Sequence, residues 1–278
     1  MSTFISTKSL SETISQETLT VYDSGIEVFN RLKLSYRPGD VIILGSRPSM
    51  GKSLFLLYMF SKFWEKNRLP QAFISNEDTE KQVYQKLVAA VTGWQLSEIM
   101  AHAEVSTVEK PDILHSDNNF FLTDFKSWEI LKETCTNLHN EKGVSIFYID
   151  KIHGLHSSKR FENRSSELGY IIEDLKKLAI QHQLIIFVTS GLNRAVESRE
   201  GKRPQLSDLR ETGAFEENAN IVIMLHRPEY YGITEDDSGN SLLNTAEILV
   251  LKNRNGKTGD LNFTFNKEIP RFEELKLR

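Results

Sequence analysis

The chain has 278 residues and is slightly acidic, with 34 Lys and Arg against 38 Asp and Glu. This balance excludes a uniformly basic nucleic-acid-binding protein, so a surface of that kind must be a local patch. The single cysteine, Cys135, excludes an internal disulfide and a cysteine-based metal site, and suits a reducing, cytoplasmic compartment. No apolar run reaches the roughly 18 residues that a membrane span needs, so no membrane association is expected.

The N-terminal end is rich in Ser and Thr and lacks the hydrophobic stretch of a signal peptide. We expect residues 1–20 to form a flexible arm and residues 21–278 to form a single folded domain. No internal repeat or low-complexity segment divides that domain.

Apolar segments and helical patterns alternate through this domain. Short apolar stretches predict buried strands at residues 41–44, 71–74, 120–122, 144–150, 184–189 and 219–226. Helices are predicted at residues 54–64, 80–92, 127–141 and 167–182. Residues 246–252 and 261–265 are predicted to pair as a closing antiparallel hairpin. The alternation predicts an α/β fold, with a largely parallel central sheet flanked by helices.

A glycine-bracketed loop, called here the phosphate loop, joins the first buried strand to the first long helix. Residues 45–53 read Gly-Ser-Arg-Pro-Ser-Met-Gly-Lys-Ser. Between a strand and a helix, such a loop points backbone N–H groups and the helix N-terminus at a phosphate, and Lys52 and Ser53 suit the β/γ phosphates and Mg²⁺. An ordinary glycine turn is the alternative, but it leaves Lys52 unexplained. The predicted nucleotide-binding residues are Gly45, Arg47, Pro48, Ser49, Met50, Gly51, Lys52 and Ser53.

Carboxylates follow two of the other strands, at the edge where ligands of open α/β sheets bind. Asp150 ends a hydrophobic strand and is expected to hold Mg²⁺ through water, although a turn or helix N-cap would also use an aspartate there. Glu77 is the candidate base that orients and deprotonates the attacking water. Asp78 is its rival, and Glu80 fits the first turn of a helix.

Two cations mark the end of the first strand of the hairpin. Lys252 and Arg254 occupy alternate positions, so their side chains are expected to point the same way. Repulsion between them favours a shared anion, and a phosphate on a neighbouring subunit is one candidate. A solvated hairpin end explains the residues equally well.

Taken together, these segments resemble the C-terminal motor domain of DnaB-type replicative helicases, within the RecA-like P-loop ATPases. The resemblance covers residues 24–272. It rests on Pro-Gly-Asp at 38–40, on Arg-Pro-Ser-Met-Gly-Lys-Ser at 47–53 and on the strand ends at Glu77 and Asp150. Later in the chain, Lys-Arg-Pro-Gln-Leu-Ser-Asp-Leu-Arg-Glu-Thr-Gly at 202–213 and Lys-Asn-Arg-Asn-Gly-Lys-Thr-Gly at 252–259 make it specific.

The resemblance implies a RecA-like ATPase and helicase motor over residues 21–278, working with ATP and Mg²⁺. It implies a homo-oligomer, expected as a hexameric ring, that encircles single-stranded DNA and works with a loader or primase. Lys52, Glu77, Lys252 and Arg254 would be catalytic, the last two as finger residues that enter the neighbour's site. The DNA-binding residues would be Arg210, Glu211 and Gly213.

The chain also departs from the family's pattern. The family's N-terminal helical domain has no counterpart in residues 1–23 of this chain. Gly191 stands where the family usually has the glutamine that senses the γ-phosphate. His153 stands in place of a second glutamine, and Lys86 in place of an arginine. The nucleotide-binding residues are intact, whereas the residues that couple the state of ATP to DNA binding in the family are altered.

An ATP-dependent DNA helicase motor is therefore the leading functional hypothesis. The alternative is a RecA-like module that binds ATP in order to assemble or load another factor, without unwinding. A small-molecule kinase is a third possibility, but it needs an acceptor pocket and would not need the two finger residues.

Overall fold

The computed structural model describes residues 20–101, 111–209, 212–266 and 271–275. The predicted arm, apart from residue 20, and two predicted DNA-binding residues, Arg210 and Glu211, lie outside these ranges. The strands are β1 (Tyr22–Asp23), β2 (Ser35–Tyr36), β3 (Val41–Ser46), β4 (Gln71–Ser75), β5 (Asn119–Thr123), β6 (Ile146–Asp150), β7 (Ile185–Gly191), β8 (Ile221–His226), β9 (Thr245–Asn253), β10 (Gly259–Asn266) and β11 (Arg271–Glu274). The α-helices are α1 (Lys52–Asn67), α2 (Glu80–Thr92), α3 (Leu96–Ala101), α4 (Trp128–Lys142), α5 (Arg164–Gln181) and α6 (Thr212–Asn218).

Nine of these strands form one sheet in the order β11-β10-β9-β8-β3-β7-β6-β4-β5. The strands from β8 to β5 in this order run parallel. β9, β10 and β11 are antiparallel to their neighbours, and β1 and β2 form a separate pair. The predicted α/β fold with a largely parallel sheet and a C-terminal antiparallel hairpin is confirmed, and β11 extends that hairpin by a strand that the sequence did not predict.

Helices cover both faces of the sheet, and β3 is buried between them. Ile42 and Leu44 belong to the core on the side of α1 and the C-terminal strands. Val41 and Ile43 belong to the core on the side of α4 and α5. Burial on both faces explains why a central parallel strand reads as a continuous apolar run.

The parallel strands end together at one edge of the sheet, called here the carboxyl edge. Ser46 of β3 lies beside Gly191 of β7, and Ser75 of β4 lies beside Asp150 of β6. The phosphate loop and both predicted carboxylate tips therefore meet at this edge. None of the helices in the described ranges combines the length and apolarity that crossing a bilayer requires.

Candidate nucleotide-binding site

The phosphate loop has the backbone of an anion-binding turn. Ser49 (φ 64°) and Gly51 (φ 93°) lie in the left-handed region, which is unfavourable for serine and recurs at ligand-binding turns. Gly51 is the N-cap of α1 and offers no side-chain cap, and no acidic residue occupies the first helical turn. The N-terminus of α1 is therefore left to an external anion.

Two residues of the loop face the protein interior. A Cβ atom on Gly45 would lie 2.5 Å from the Met224 sulfur and 3.0 Å from a methyl carbon of Leu192, so only glycine fits there without rearrangement. The Met50 side chain is buried in the core on the α1 side. This buried side chain anchors the loop to the core, so Met50 can contact a phosphate only through its backbone.

A cleft of about 570 Å³ opens over the loop at the carboxyl edge. The predicted residues that line it are Arg47, Pro48, Ser49, Gly51, Lys52, Ser53 and Glu77. Its remaining lining residues are Ser46, Leu54, Lys86, Lys151, His153, Gly191, Leu192, Arg227 and Phe265. Five of the lining side chains are cationic and one is a carboxylate, so the cleft suits a polyanionic ligand.

Lys52 is the first residue of α1 and lies against the two predicted carboxylates. Burial lowers the pKa of the Lys52 amine, and the charges of Asp150 and Glu77 oppose this effect. A polyphosphate in the cleft would act in the same direction as the carboxylates and favour the charged amine.

The Glu77 carboxylate accepts a hydrogen bond from Lys151 Nζ within the cleft. Burial acts to raise the pKa of Glu77, but this bond and the nearby charges of Lys151, Lys52 and Lys86 outweigh it, so the pKa lies below its ordinary value. Glu77 is therefore ionised near neutral pH, as a residue that accepts a hydrogen bond or proton from water must be.

The two rival carboxylates have other partners. Asp78 accepts a hydrogen bond from Lys86, and Glu80 accepts one from the Thr123 hydroxyl. Neither carboxylate lines the cleft. The geometry therefore favours Glu77 among the three.

Asp150 is fully buried beneath the cleft and has one oxygen left over. Its Oδ1 accepts a hydrogen bond from Thr189 Oγ1 at 2.6 Å, while Oδ2 has no hydrogen-bond partner within the described part of the chain. A buried carboxylate oxygen of this kind needs a cation or water to offset its desolvation. Asp150 and the Ser53 hydroxyl are oxygen donors that fit Mg²⁺, which keeps several waters and binds substrate phosphates.

Arg227 and Phe265 form a part of the cleft that sequence reasoning missed. The Arg227 guanidinium carbon lies 4.2 Å from the centre of the Phe265 ring, and the side chain is 8% exposed. Burial lowers the pKa of Arg227, and its Nη1 lies 3.5 Å from the Ser49 carbonyl oxygen. A buried arginine stacked on an aromatic ring offers a flat cationic surface that suits a nucleotide base.

The finger residues lie at the amino edge of the sheet, opposite the cleft. Asn253, between Lys252 and Arg254, pairs with Ile221 at the start of β8, and Ile221 pairs with Ile42 near the start of β3. From Ile42 to the end of β3 the strand advances about 13 Å. The finger residues therefore do not line the cleft of their own chain.

Both finger residues bind the C-terminal end of α6. Lys252 Nζ donates to the Glu216 carbonyl at 2.5 Å, and Arg254 Nη2 donates to the Glu217 carbonyl at 3.0 Å. Cations are favourable at a helix C-terminus, where carbonyl groups lack intrahelical donors. The two side chains thus converge on one partner, as their alternate spacing predicts.

Two glycines singled out from the sequence lie in different elements. Gly191 ends β7 and lines the cleft, and a Cβ atom there would meet nothing within 4 Å. Gly213 lies exposed in the first turn of α6.

Comparison with known proteins gives a consistent family. The model of the DnaB-like helicase C-terminal domain matches residues 22–274. A probable plasmid replicative DNA helicase of Chlamydia psittaci is 29% identical over 84% of this chain and 51% of its own length. The replicative DNA helicase DnaB of Geobacillus stearothermophilus is 29% identical over 94% of this chain and 58% of its own. The chain thus spans about half the length of these relatives.

Solved structures agree with the sequence relatives. A DnaB-like replicative helicase, solved in work on its interactions with primase, has a TM-score of 0.81 and 27% identity to this chain. The match covers 97% of this chain and 67% of the solved chain. A second solved structure, of an ATPase domain, has a TM-score of 0.80 at 27% identity, and the match covers 97% of each chain. On the family match, the relatives and the shared fold, this chain belongs to the DnaB-like helicase C-terminal domain family.

Proposed function

We propose that this chain is the motor of a replicative DNA helicase, which hydrolyses ATP with Mg²⁺ and moves along single-stranded DNA as a homo-oligomeric ring. Its relatives are named as replicative DNA helicases. The observation that carries the proposal is that the phosphate loop lies at one edge of the sheet and Lys252 and Arg254 lie at the other. Lys252 and Arg254 of one copy would then complete the cleft of a neighbouring copy, and six copies are the expected ring.

The cleft supplies residues for water attack on the γ-phosphorus. Glu77 accepts the water proton as the new P–O bond forms, the β–γ bridging bond breaks and ADP leaves. Lys52 neutralises charge on the phosphate oxygens, and Lys151 holds the Glu77 carboxylate ionised and in place. Ser53 and Asp150 would hold Mg²⁺, which supplies further positive charge at the phosphates when bound.

The base would lie against Arg227 and Phe265. Their stacked pair lies in the cleft beside Ser49 and Gly51, so a base there keeps its phosphates within reach of the loop. Stacking on a flat cationic surface binds any purine, so base selectivity would be modest.

DNA would contact Arg210, Glu211 and Gly213, of which Gly213 lies exposed in the first turn of α6. Contacts of this kind follow the phosphate backbone, so binding would be salt-sensitive and independent of sequence. A primase or a helicase loader is the proposed protein partner, since a structural relative was solved in work on its interactions with primase.

The substitution Glu77→Gln tests the hydrolytic step. It keeps the size of the side chain and removes the proton acceptor, so DNA-stimulated ATP turnover is expected to fall about 10²- to 10⁴-fold, while binding of an ATP analogue is retained. Glu80→Gln is the matched control, because Glu80 lies outside the cleft. Normal turnover in Glu77→Gln would remove Glu77 from the mechanism.

A second candidate function is an ATP-dependent assembly or loading module without unwinding. The observation that favours it is Gly191, which brings no side chain to the cleft beside the phosphate loop. A strand-displacement assay, run beside ATPase measurements with and without single-stranded DNA, separates the two. Nucleotide-dependent oligomers that leave the duplex intact support the module, and displacement supports the motor.

A further inference from the structure

Asn220 joins three elements at the amino edge of the sheet. It lies between the end of α6 and the start of β8. Its backbone N–H donates to the Val41 carbonyl at 2.8 Å, and its Oδ1 accepts from the Val41 N–H at 3.1 Å and from Lys176 Nζ at 2.7 Å. Its own carbonyl accepts from the Arg254 N–H at 3.0 Å. One asparagine therefore connects β3 and α5 to the residue that directly follows β9.

Lys176 belongs to this junction and not to a surface site. Its Nζ also donates to the Gly39 carbonyl at 2.6 Å, so two of the three ammonium hydrogens are used within the chain. Burial lowers the pKa of the Lys176 amine, the charge of Asp40 opposes burial, and the charges of the two finger residues add to it. The amine therefore lies close enough to the finger residues to interact with them, while its hydrogen bonds hold Asn220.

The main chain of Arg254 is held on both sides. The Asn220 carbonyl accepts its N–H, and the amide of the preceding residue, Asn253, donates to the carbonyl oxygens of Leu32 and Lys257, each at 3.2 Å. The Arg254 side chain is exposed and extends from this backbone. Because a displacement of about 1 Å can cost a reaction about 100-fold in rate, the position of the backbone matters for a finger residue.

We propose that Asn220, held by Lys176, is a positioning residue that sets the main chain of Arg254 so that the guanidinium reaches the neighbour's nucleotide. Loss of the Asn220 oxygen would deprive the buried Val41 N–H and the Lys176 ammonium of an acceptor that they share. Unsatisfied groups of this kind are costly, so the junction would rearrange. Asn220 does not line the cleft of its own chain, so its effect on hydrolysis belongs to the neighbour's cleft. The inference deepens the proposed function and rests on it, because it needs Arg254 to act in trans.

The first measurement compares single variants of the full chain. Asn220→Leu keeps the approximate volume and removes the acceptor, so kcat for DNA-stimulated ATP hydrolysis is expected to fall about 10- to 100-fold. Affinity for an ATP analogue should stay within about twofold, because only an interaction of the transition state is lost. Lys176→Met should behave in the same way, and the double variant should lose no more than either single one. Asn220→Asp keeps an acceptor oxygen and should restore kcat to within about threefold of wild type.

The second measurement asks which cleft the substitution damages. Asn220→Leu is mixed with Lys52→Ala, whose cleft is inactive but whose Asn220 and Arg254 are intact. In a ring assembled at random from equal amounts, about a quarter of the clefts have Lys52 in their own subunit and Asn220 in the neighbour, so turnover should rise to about a quarter of the wild-type value. If Asn220 supported only its own cleft or fold, no cleft in the mixture would be complete. Turnover would then not exceed that of Asn220→Leu alone.

Asn218→Ala is the matched control, because this asparagine lies two residues earlier and its amide donates within α6, to the Ala214 carbonyl at 2.8 Å. It should keep the wild-type kcat. If Asn220→Leu fails to bind the analogue, Lys176→Met replaces it in the mixture under the same criteria.

Several outcomes would overturn the inference. A wild-type kcat in Asn220→Leu, an equal loss in Asn220→Asp or Asn218→Ala, or no rise in turnover on mixing would each do so. A mixture of Lys52→Ala with Arg254→Ala is measured first, and no recovery of turnover there would instead refute the supply of Arg254 in trans under the proposed function. The two failures are distinguishable because only the second mixture contains a substitution at Asn220.

Discussion

Supply of the finger residues by a neighbouring subunit predicts that two inactive variants restore each other's activity. Lys52→Ala removes the phosphate-loop amine but keeps the finger residues, and Arg254→Ala does the reverse. Arg254 is exposed, and its side chain makes one hydrogen bond to the end of α6, which contributes less than about 1 kcal/mol to stability. Both variants should therefore fold, and each alone should be inactive.

The expected activity of a mixture follows from the arrangement of the site. In a ring assembled at random from equal amounts of the two variants, a cleft works when its own subunit has Lys52 and its neighbour has Arg254. Each condition is met half of the time, so about one quarter of all clefts are complete in a head-to-tail ring. If clefts act independently, turnover reaches about a quarter of the wild-type value, and less if they act in sequence.

The assay is DNA-stimulated ATP turnover of the two variants, co-refolded or exchanged as subunits, against the mixing ratio. The curve should rise from zero at both ends to a maximum at equal amounts. Lys257→Ala, an exposed cation on the same hairpin, is the control and should be active without mixing. Zero activity at every ratio in mixed oligomers of confirmed composition would refute supply in trans, as would full activity of Arg254→Ala alone.

Other predictions follow from the cleft and the core. Arg227→Ala should weaken binding of an ATP analogue by roughly 2- to 30-fold, since a cation–π surface contributes about 0.5 to 2 kcal/mol; unchanged affinity in a titration would place the base elsewhere. Asp150→Asn should lower the affinity for the Mg²⁺ that supports nucleotide binding by about 10- to 100-fold. An unaltered Mg²⁺ titration of nucleotide binding would contradict this role of Asp150. Burial and the charge of Arg203 lower the pKa of His226 from 6.5 to about 4. As the pH falls, His226 is therefore protonated in the unfolded state before it is protonated in the folded state. Stability should thus fall by up to about 3 kcal/mol between pH 6.5 and 4, and urea unfolding of His226→Phe should lack this loss.

The phosphate loop could be predicted from the sequence because strand, loop and helix are contiguous there. The strand ends at Glu77 and Asp150 could be predicted because parallel strands end at a common edge. The alternation of Lys252 and Arg254 correctly placed both side chains on one side. In each case the residues are close together in the sequence, and the general geometry of strands determines where their side chains lie in the sheet.

The rest depended on contacts between distant segments. Arg227 and Phe265 meet only because β8, β9 and β10 are neighbours in the sheet, and no local pattern gives their 4.2 Å contact. The approach of the His153 ring to Phe215, with ring centres 6.1 Å apart, depends on where α6 packs. The structural support for Glu77 over its rival Asp78 comes from two such contacts, because Glu77 lines the cleft whereas Asp78 does not and is hydrogen-bonded to Lys86.

The reversal of direction between β8 and β9 has a consequence for symmetry. β9 returns the chain from the carboxyl edge to the amino edge, so Lys252 and Arg254 lie at the opposite edge from the cleft. With the proposed supply of these two residues in trans, one copy would present its cleft to one neighbour and its two cations to the other. Contacts between unlike surfaces are heterologous, and each added copy repeats the same rotation. A closed ring then satisfies every cleft, whereas an open helical stack leaves one cleft and one pair of cations unmatched at its ends. The rotation between neighbours, and not the chemistry of the cleft, would set the number of subunits.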